Sequence, residues 1–324
     1  MPYLFFIRLS FVTFLVASLA NHLLAEDDSL STQVGFSEAP GSSLECVFSV
    51  DTNPGVSYTL LRSNDLVNWT EVSGDSFEST SSDSVEWERG GIATFFKIRA
   101  SMLDSIPSQI TSIDYPVHVV LPDGYENSQK RFPIIYATDG QWVTGGFSSA
   151  VTERKKQLIL VTIEQGPGDR RAIDFRLPGA YNYIRFIEEE LLPSVESIYR
   201  VNTSERTFCG TSYGGLLVGL VFLLDDVENP LFKNYLSFDG SFWSSAATLY
   251  SLENERYAAS KRKNATLYLT SATGFQNNDR WVTNFQNRIE SRGYEGLTVV
   301  RRSYPVEHND VAQPSFDAAL EFLY

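Results

Sequence analysis

The pentapeptide Gly210-Thr211-Ser212-Tyr213-Gly214 limits what this chain can fold into more than any other stretch, because of what flanks it. A short β-like run, Arg206 to Cys209, leads in. Leu216 to Leu224 follows and is apolar throughout, as a helix buried on every side must be. Glycines at both ends let the backbone turn sharply from strand to helix, and that turn lifts the Ser212 hydroxyl clear of the sheet. The N–H of Tyr213, at the helix start, then faces the place where a carbonyl oxygen would gain charge.

The rest of the second part of the chain agrees with that setting. From about Met102 onward, strand and helix patterns alternate. Strands are expected at Val117–Leu121, Phe132–Ala137, Leu158–Ile163, Thr207–Cys209, Tyr235–Phe238, Thr266–Thr270 and Leu297–Tyr304. Ile184, Ile187, Leu191, Val195 and Ile198 recur at helical spacing and form one apolar stripe, which Pro193 should bend. Further helices are expected over Trp281–Arg292, stopped by Gly293, and over Pro314–Leu323. This alternation predicts an α/β fold with a doubly wound, mostly parallel sheet.

The first hundred residues read differently. Tyr3 to Ala20 is an apolar run containing Arg8, followed by small residues and the acidic Glu26-Asp27-Asp28. That pattern predicts an export signal over residues 1–25, cut after Ala20 or Ala25, and a secreted or periplasmic protein free of the membrane after cleavage. Residues 26–101 show short alternating runs separated by turn clusters such as Asp51-Thr52-Asn53-Pro54-Gly55, which predicts a small all-β sandwich. Residues 102–324 form the α/β domain. The net charge of −14 argues against nucleic acid as a partner. Cys46 and Cys209 fall in separate strands and read as two buried thiols, and no cluster has metal-ligand spacing, so neither a metal nor a cofactor is expected.

A serine hydroxyl needs a base, and the chain has three histidines. His22 belongs to the leader and His118 to an early strand. His308 follows the last strand, within Tyr304-Pro305-Val306-Glu307-His308-Asn309-Asp310, and is the expected base. An acid that orients the imidazole is expected after the strand Thr266–Thr270, where Asp279 is the one carboxylate. Asp279 could equally cap the helix at Trp281. Asp239, Glu307 and Asp310 are the other candidates, and a Ser-His dyad without an acid also works. A second oxyanion donor is expected in Asp139-Gly140-Gln141-Trp142, from the N–H of Gln141 or Trp142. Trp142 and Tyr213 are expected to line the substrate pocket. Arg170, Arg171 and Arg176 could form a cationic patch that binds substrate.

Several segments in order carry a family resemblance: Tyr115-Pro116-Val117, Leu121-Pro122-Asp123-Gly124-Tyr125, Phe132-Pro133-Ile134-Ile135-Tyr136 ahead of Asp139-Gly140, Phe186 to Pro193, the elbow, Ser237 to Trp243, and His308. Through them the chain resembles the putative-esterase branch of the α/β-hydrolases, which includes enterobactin-esterase-like and feruloyl esterases and mycolyltransferases. Thr211 stands where the enterobactin-esterase-like elbow commonly has histidine. Val56 to Trp69 with Phe95 to Arg99 resembles an immunoglobulin-like or fibronectin-like module of secreted bacterial proteins. The resemblance implies a serine esterase acting on a small-molecule or carbohydrate-linked ester through Ser212, His308 and an acid. Acyl transfer on the same fold, and a non-catalytic binding protein, are the alternative readings.

Overall fold

In the computed structural model the described residues are 7–9, 32–38, 43–50, 57–63, 70–71, 82–88, 94–101, 105–125 and 128–324. The chain divides into two compact units, Met1–Asp104 and Ser105–Tyr324. In the first, the strands pair antiparallel into a three-stranded sheet (Thr32–Glu38, Ser43–Val50, Ser82–Glu88) and a four-stranded one. The side-chain packing of an immunoglobulin-like sandwich lies outside the described residues. Of the expected export segment only Ile7–Leu9 is described, as a strand paired with Thr94–Ser101, and both cleavage points lie outside the described residues. Among the described residues no helix is long and apolar enough to cross a membrane.

The second unit is built on eight strands: β1 (Ser105–Ser108), β2 (Ile113–Val120), β3 (Phe132–Thr138), β4 (Ile159–Ile163), β5 (Val201–Thr211), β6 (Asn234–Phe238), β7 (Arg262–Ala272) and β8 (Glu295–Tyr304). They lie in the order β8-β7-β6-β5-β3-β4-β2-β1. All neighbours from β4 through β3 and β5 to β8 run parallel, and only β1 and β2 join antiparallel. This is the expected doubly wound sheet. Every residue of β4 and β6 is buried, as central parallel strands covered on both faces require.

From β3 the chain steps outward to β4, whereas from β5 it steps the other way to β6. Right-handed crossovers therefore put the following helices, α1 (Gly140–Glu153) and α2 (Tyr213–Leu224), on opposite faces. The C-terminal ends of β3 and β5 therefore mark the switch point, the place at which open α/β sheets hold ligands. α2 is buried at ten successive positions, Gly214 to Leu223, which accounts for its uniform hydrophobicity. On the other face Phe147 of α1 stacks on Phe316 of the closing helix (Ala312–Leu323), with ring centroids 3.7 Å apart.

The apolar stripe at Ile184–Ile198 forms one helical path in three pieces: Ala180–Phe186, a π-helical turn over Ile187–Leu191, and Leu192–Ile198. Pro193 has no N–H for the carbonyl of Glu189, and the turn just before it takes the wider π-helical form.

Candidate active site

Ser212 stands at the tip of the turn between β5 and α2 with φ 61° and ψ −117°. A non-glycine residue there stores roughly 1–3 kcal/mol of strain. Three hydrogen bonds hold it: Ser212 N donates to the Phe238 carbonyl, and its own carbonyl accepts from the N–H groups of Leu216 and Ser241, each at 2.9 Å. The flanking glycines are demanded by close approach. A Cβ on Gly210 would lie 2.5 Å from the Gly214 backbone, and one on Gly214 would lie 2.4 Å from Thr138 Oγ1.

His308 opens a short 3₁₀ turn after β8. The loop leading to it is fastened to the loop after β7, where Thr273 N donates to the Tyr304 carbonyl (2.8 Å) and Gly274 N to that of Val306 (2.9 Å). From this position Nε2 of His308 lies 2.9 Å from Ser212 Oγ, and Nδ1 lies 2.5 Å from Asp239 Oδ2. Asp239 follows β6, is fully buried, and also accepts the backbone N–H groups of Ala272 and Asn278, each at 3.2 Å. Nδ2 of Asn278 donates to the Asp239 carbonyl at 2.8 Å.

The carboxylate beside the imidazole is thus Asp239, not Asp279. Asp279 opens the helix Asp279–Glu290, and its Oδ1 accepts from Ser271 Oγ (2.5 Å) and Arg301 Nη2 (2.6 Å). It sits a full loop beyond the end of β7, and a guanidinium claims it there. Glu307 and Asp310 flank His308 in sequence, but both ring nitrogens already have partners. Asn278 carries no charge to mark it in the sequence, although it adjoins Asp279.

Of the expected oxyanion donors, Tyr213 and Gln141 begin helices, so their N–H groups have no partner within them. Trp142 does not fit, because its N–H already donates to the Asp139 carbonyl at 2.9 Å. Trp142 is 65% exposed, and the ring of Trp243, a residue 46% exposed, lies 6.2 Å from the Tyr213 ring.

The expected cationic patch is mostly turned inward. Arg170 binds Asp174, which also accepts from Tyr115 Oη at 2.8 Å. Arg171 grips Asp139 through Nε at 2.6 Å and Nη2 at 2.9 Å. Only Arg176 is left without an ion pair among the described residues, with its guanidinium 5.2 Å from the centre of the Tyr213 ring. Burial pushes the carboxyl groups of Asp139 and Asp174 up, and their arginine partners oppose that. Cys209, buried just before the elbow, has a free thiol that burial holds well above its usual range; the Cys46 side chain lies outside the described residues. Among the described residues no group of three or more His, Cys, Asp and Glu could hold a metal ion.

A nucleophile, a base and an orienting acid in one hydrogen-bonded line can carry out acyl transfer. The family model described as "Putative esterase" matches residues 108–284. The chain belongs to this esterase family. It is 23% identical to the ferri-bacillibactin esterase BesA of Bacillus subtilis, over 57% of this chain and 73% of that protein. Its fold matches an IroE-like serine hydrolase from Shewanella oneidensis with a TM-score of 0.58 and 21% identity, over 67% of this chain and 78% of the other. It also matches the siderophore hydrolase EstB of Aspergillus nidulans, with a TM-score of 0.56 and 18% identity, over 69% and 96% of the two chains. The chain is a carboxylic ester hydrolase with an α/β-hydrolase fold.

Proposed function

We propose that the protein is an exported serine esterase in which Ser212 attacks an ester carbonyl and His308 takes the proton from its hydroxyl. Asp239 holds the imidazole with Nε2 toward the serine and stabilises the imidazolium that forms. The backbone N–H groups of Tyr213 and Gln141 receive the oxyanion. His308 then gives its proton to the leaving alcohol, and water, activated by the same imidazole, releases the acyl group. The continuous hydrogen-bonded line from Ser212 through His308 to Asp239 carries this reading.

The ester we infer is a small molecule with a flat, anionic or phenolic acyl part. Trp142, Tyr213 and Trp243 offer aromatic faces beside the serine, and Arg176 offers the unpaired cation. The relatives named for ferri-bacillibactin and siderophore hydrolysis support the same class. Tyr3 to Ala20 would direct export to the periplasm or medium, and residues 26–101 would travel as an immunoglobulin-like module.

The test is a panel of short acyl, feruloyl and catecholate esters given to wild type, Ser212→Ala and Arg176→Ala. Wild type should turn over the aromatic esters and be labelled by a fluorophosphonate at Ser212. Ser212→Ala should do neither, and Arg176→Ala should raise KM for acidic esters but not for neutral ones. A wild-type protein that neither turns over any ester nor takes the label sinks the reading.

A further inference from the structure

We propose that the buried pair Asp139–Arg171 is a positioning device that sets the separation between the two oxyanion donors. The inference rests on Ser212 being the nucleophile. Asp139 follows the last residue of β3 and immediately precedes Gly140 and Gln141, so its backbone fixes where the Gln141 N–H lies. Arg171 comes from a different element, the short helix Arg170–Asp174. Beyond its two bonds to Asp139, its Nη2 donates to the Thr211 carbonyl at 3.1 Å, and Thr211 is the residue before the nucleophile. One guanidinium therefore ties the loop carrying one donor to the elbow carrying the other. Its centre also lies 5.3 Å from that of the ring of Trp142, which follows one donor, and 5.5 Å from that of the ring of Tyr213, which carries the other.

The arrangement is expensive as a source of stability. Asp139 is 2% exposed, and burial raises its pKa against the pull of Arg171. It also adopts the left-handed region, φ 65° and ψ 37°, which is uncommon for residues other than glycine. Buried ion pairs often contribute no more stability than well-packed apolar residues of similar size. What the pair supplies is geometry: a planar, forked donor with fixed directions to two backbone segments. Oxyanion stabilisation depends on such fixed donors, and a misplacement of about 1 Å costs on the order of 100-fold in rate.

The experiment compares wild type with Arg171→Gln, Arg171→Lys, Asp139→Asn and the double variant Asp139→Asn/Arg171→Gln. Each is assayed for kcat and KM on one ester, for inhibition by an arylboronic acid that forms a tetrahedral adduct on serine, and for inhibition by a planar ground-state amide. Arg171→Gln should lower kcat by about 100-fold with KM within about threefold. Its boronate affinity should fall in parallel while its amide affinity holds. The double variant should be no slower than Arg171→Gln, since both changes break one unit. Lysine cannot span Asp139 and Thr211 together, so Arg171→Lys should melt near wild type yet lose about tenfold in kcat. Equal loss of boronate and amide affinity, or a folded Arg171→Lys with full kcat, overturns the proposal. If Arg171→Gln does not fold, Arg171→Lys and Asp139→Asn decide the matter. An inactive, unlabelled wild type would instead remove the esterase reading itself, before any variant is compared.

Discussion

Asp239 and His308 are 69 positions apart in sequence, yet Oδ2 of the one lies 2.5 Å from Nδ1 of the other. The carboxylate reaches the ring from the end of β6, one strand nearer the elbow than the usual station after β7. With no exposed surface, and with backbone N–H groups from Ala272 and Asn278 on its oxygens, it is held in one orientation. The loop after β7 thus holds this carboxylate without supplying it.

The first prediction separates the two aspartates. Asp239→Asn should lower kcat by between about 10²- and 10⁴-fold, because an amide opposite Nδ1 no longer favours the productive tautomer. Asp279→Asn should stay within about threefold of wild type in kcat and lose at most a modest amount of stability through Arg301. Steady-state kinetics on one chromogenic ester decides between them, and the reverse ranking would restore Asp279 as the acid.

The elbow gives a steric prediction. In Gly214→Ala the new Cβ meets Thr138 Oγ1 at 2.4 Å and Asp139 Oδ2 at 3.2 Å, where the chain enters the Gly140–Trp142 segment. Overpacking of this kind costs about 1–3 kcal/mol. Activity should fall more steeply than stability, because the displaced groups are those that aim Ser212 and Gln141. Thermal melting and kcat on the same preparation test this, and a stable variant with wild-type kcat would show that the turn relaxes freely.

How much of this was legible in the sequence follows from how local each signal is. The elbow announced itself because strand, glycines and buried helix are contiguous, and His308 stood out because histidine is scarce. The acid was harder, because nothing in the linear text says whether the carboxylate after β6 or the one after β7 faces the imidazole. Helix α1 went unread: Gly145, Gly146 and its serines and threonines are poor helix formers, and burial of Val143, Phe147, Ala150 and Val151 outweighs that propensity. Arg170 and Arg171 looked like a surface patch because their partners, Asp174 excepted, are remote in sequence.

Asn278 makes a finer test. Its backbone N–H steadies the Asp239 carboxylate, and its side chain donates to the Asp239 carbonyl and, at 3.3 Å, to Ser241 Oγ. Asn278→Ala removes only the side-chain bonds. It should cost about tenfold in kcat with KM little changed, as loss of a supporting hydrogen bond behind a catalytic group does. An unchanged kcat would mean that the backbone bonds hold Asp239 by themselves.

The last prediction concerns stability far from the site. Lys263 is 4% exposed, packed beside the Phe222 and Tyr235 rings, with Asp225 at 3.8 Å. Burial outweighs Asp225 and pushes its pKa down to about 8, against 10.5 for a free lysine. Between those values the unfolded chain keeps a proton that the folded chain has released. The unfolded state therefore binds more protons, and stability rises with pH through that window. Below pH 8 both states are protonated and the full cost of burying the ammonium stands. Compared with Lys263→Met, wild type should gain on the order of 2 kcal/mol from pH 8 to pH 10, measured by denaturant unfolding. Above pH 10 the slope reverses, because the unfolded chain ionises tyrosines that burial keeps neutral in the fold, Tyr115 up to about 12 among them. A difference between the two proteins that stays flat from pH 8 to pH 10 would show that Lys263 keeps its proton when buried.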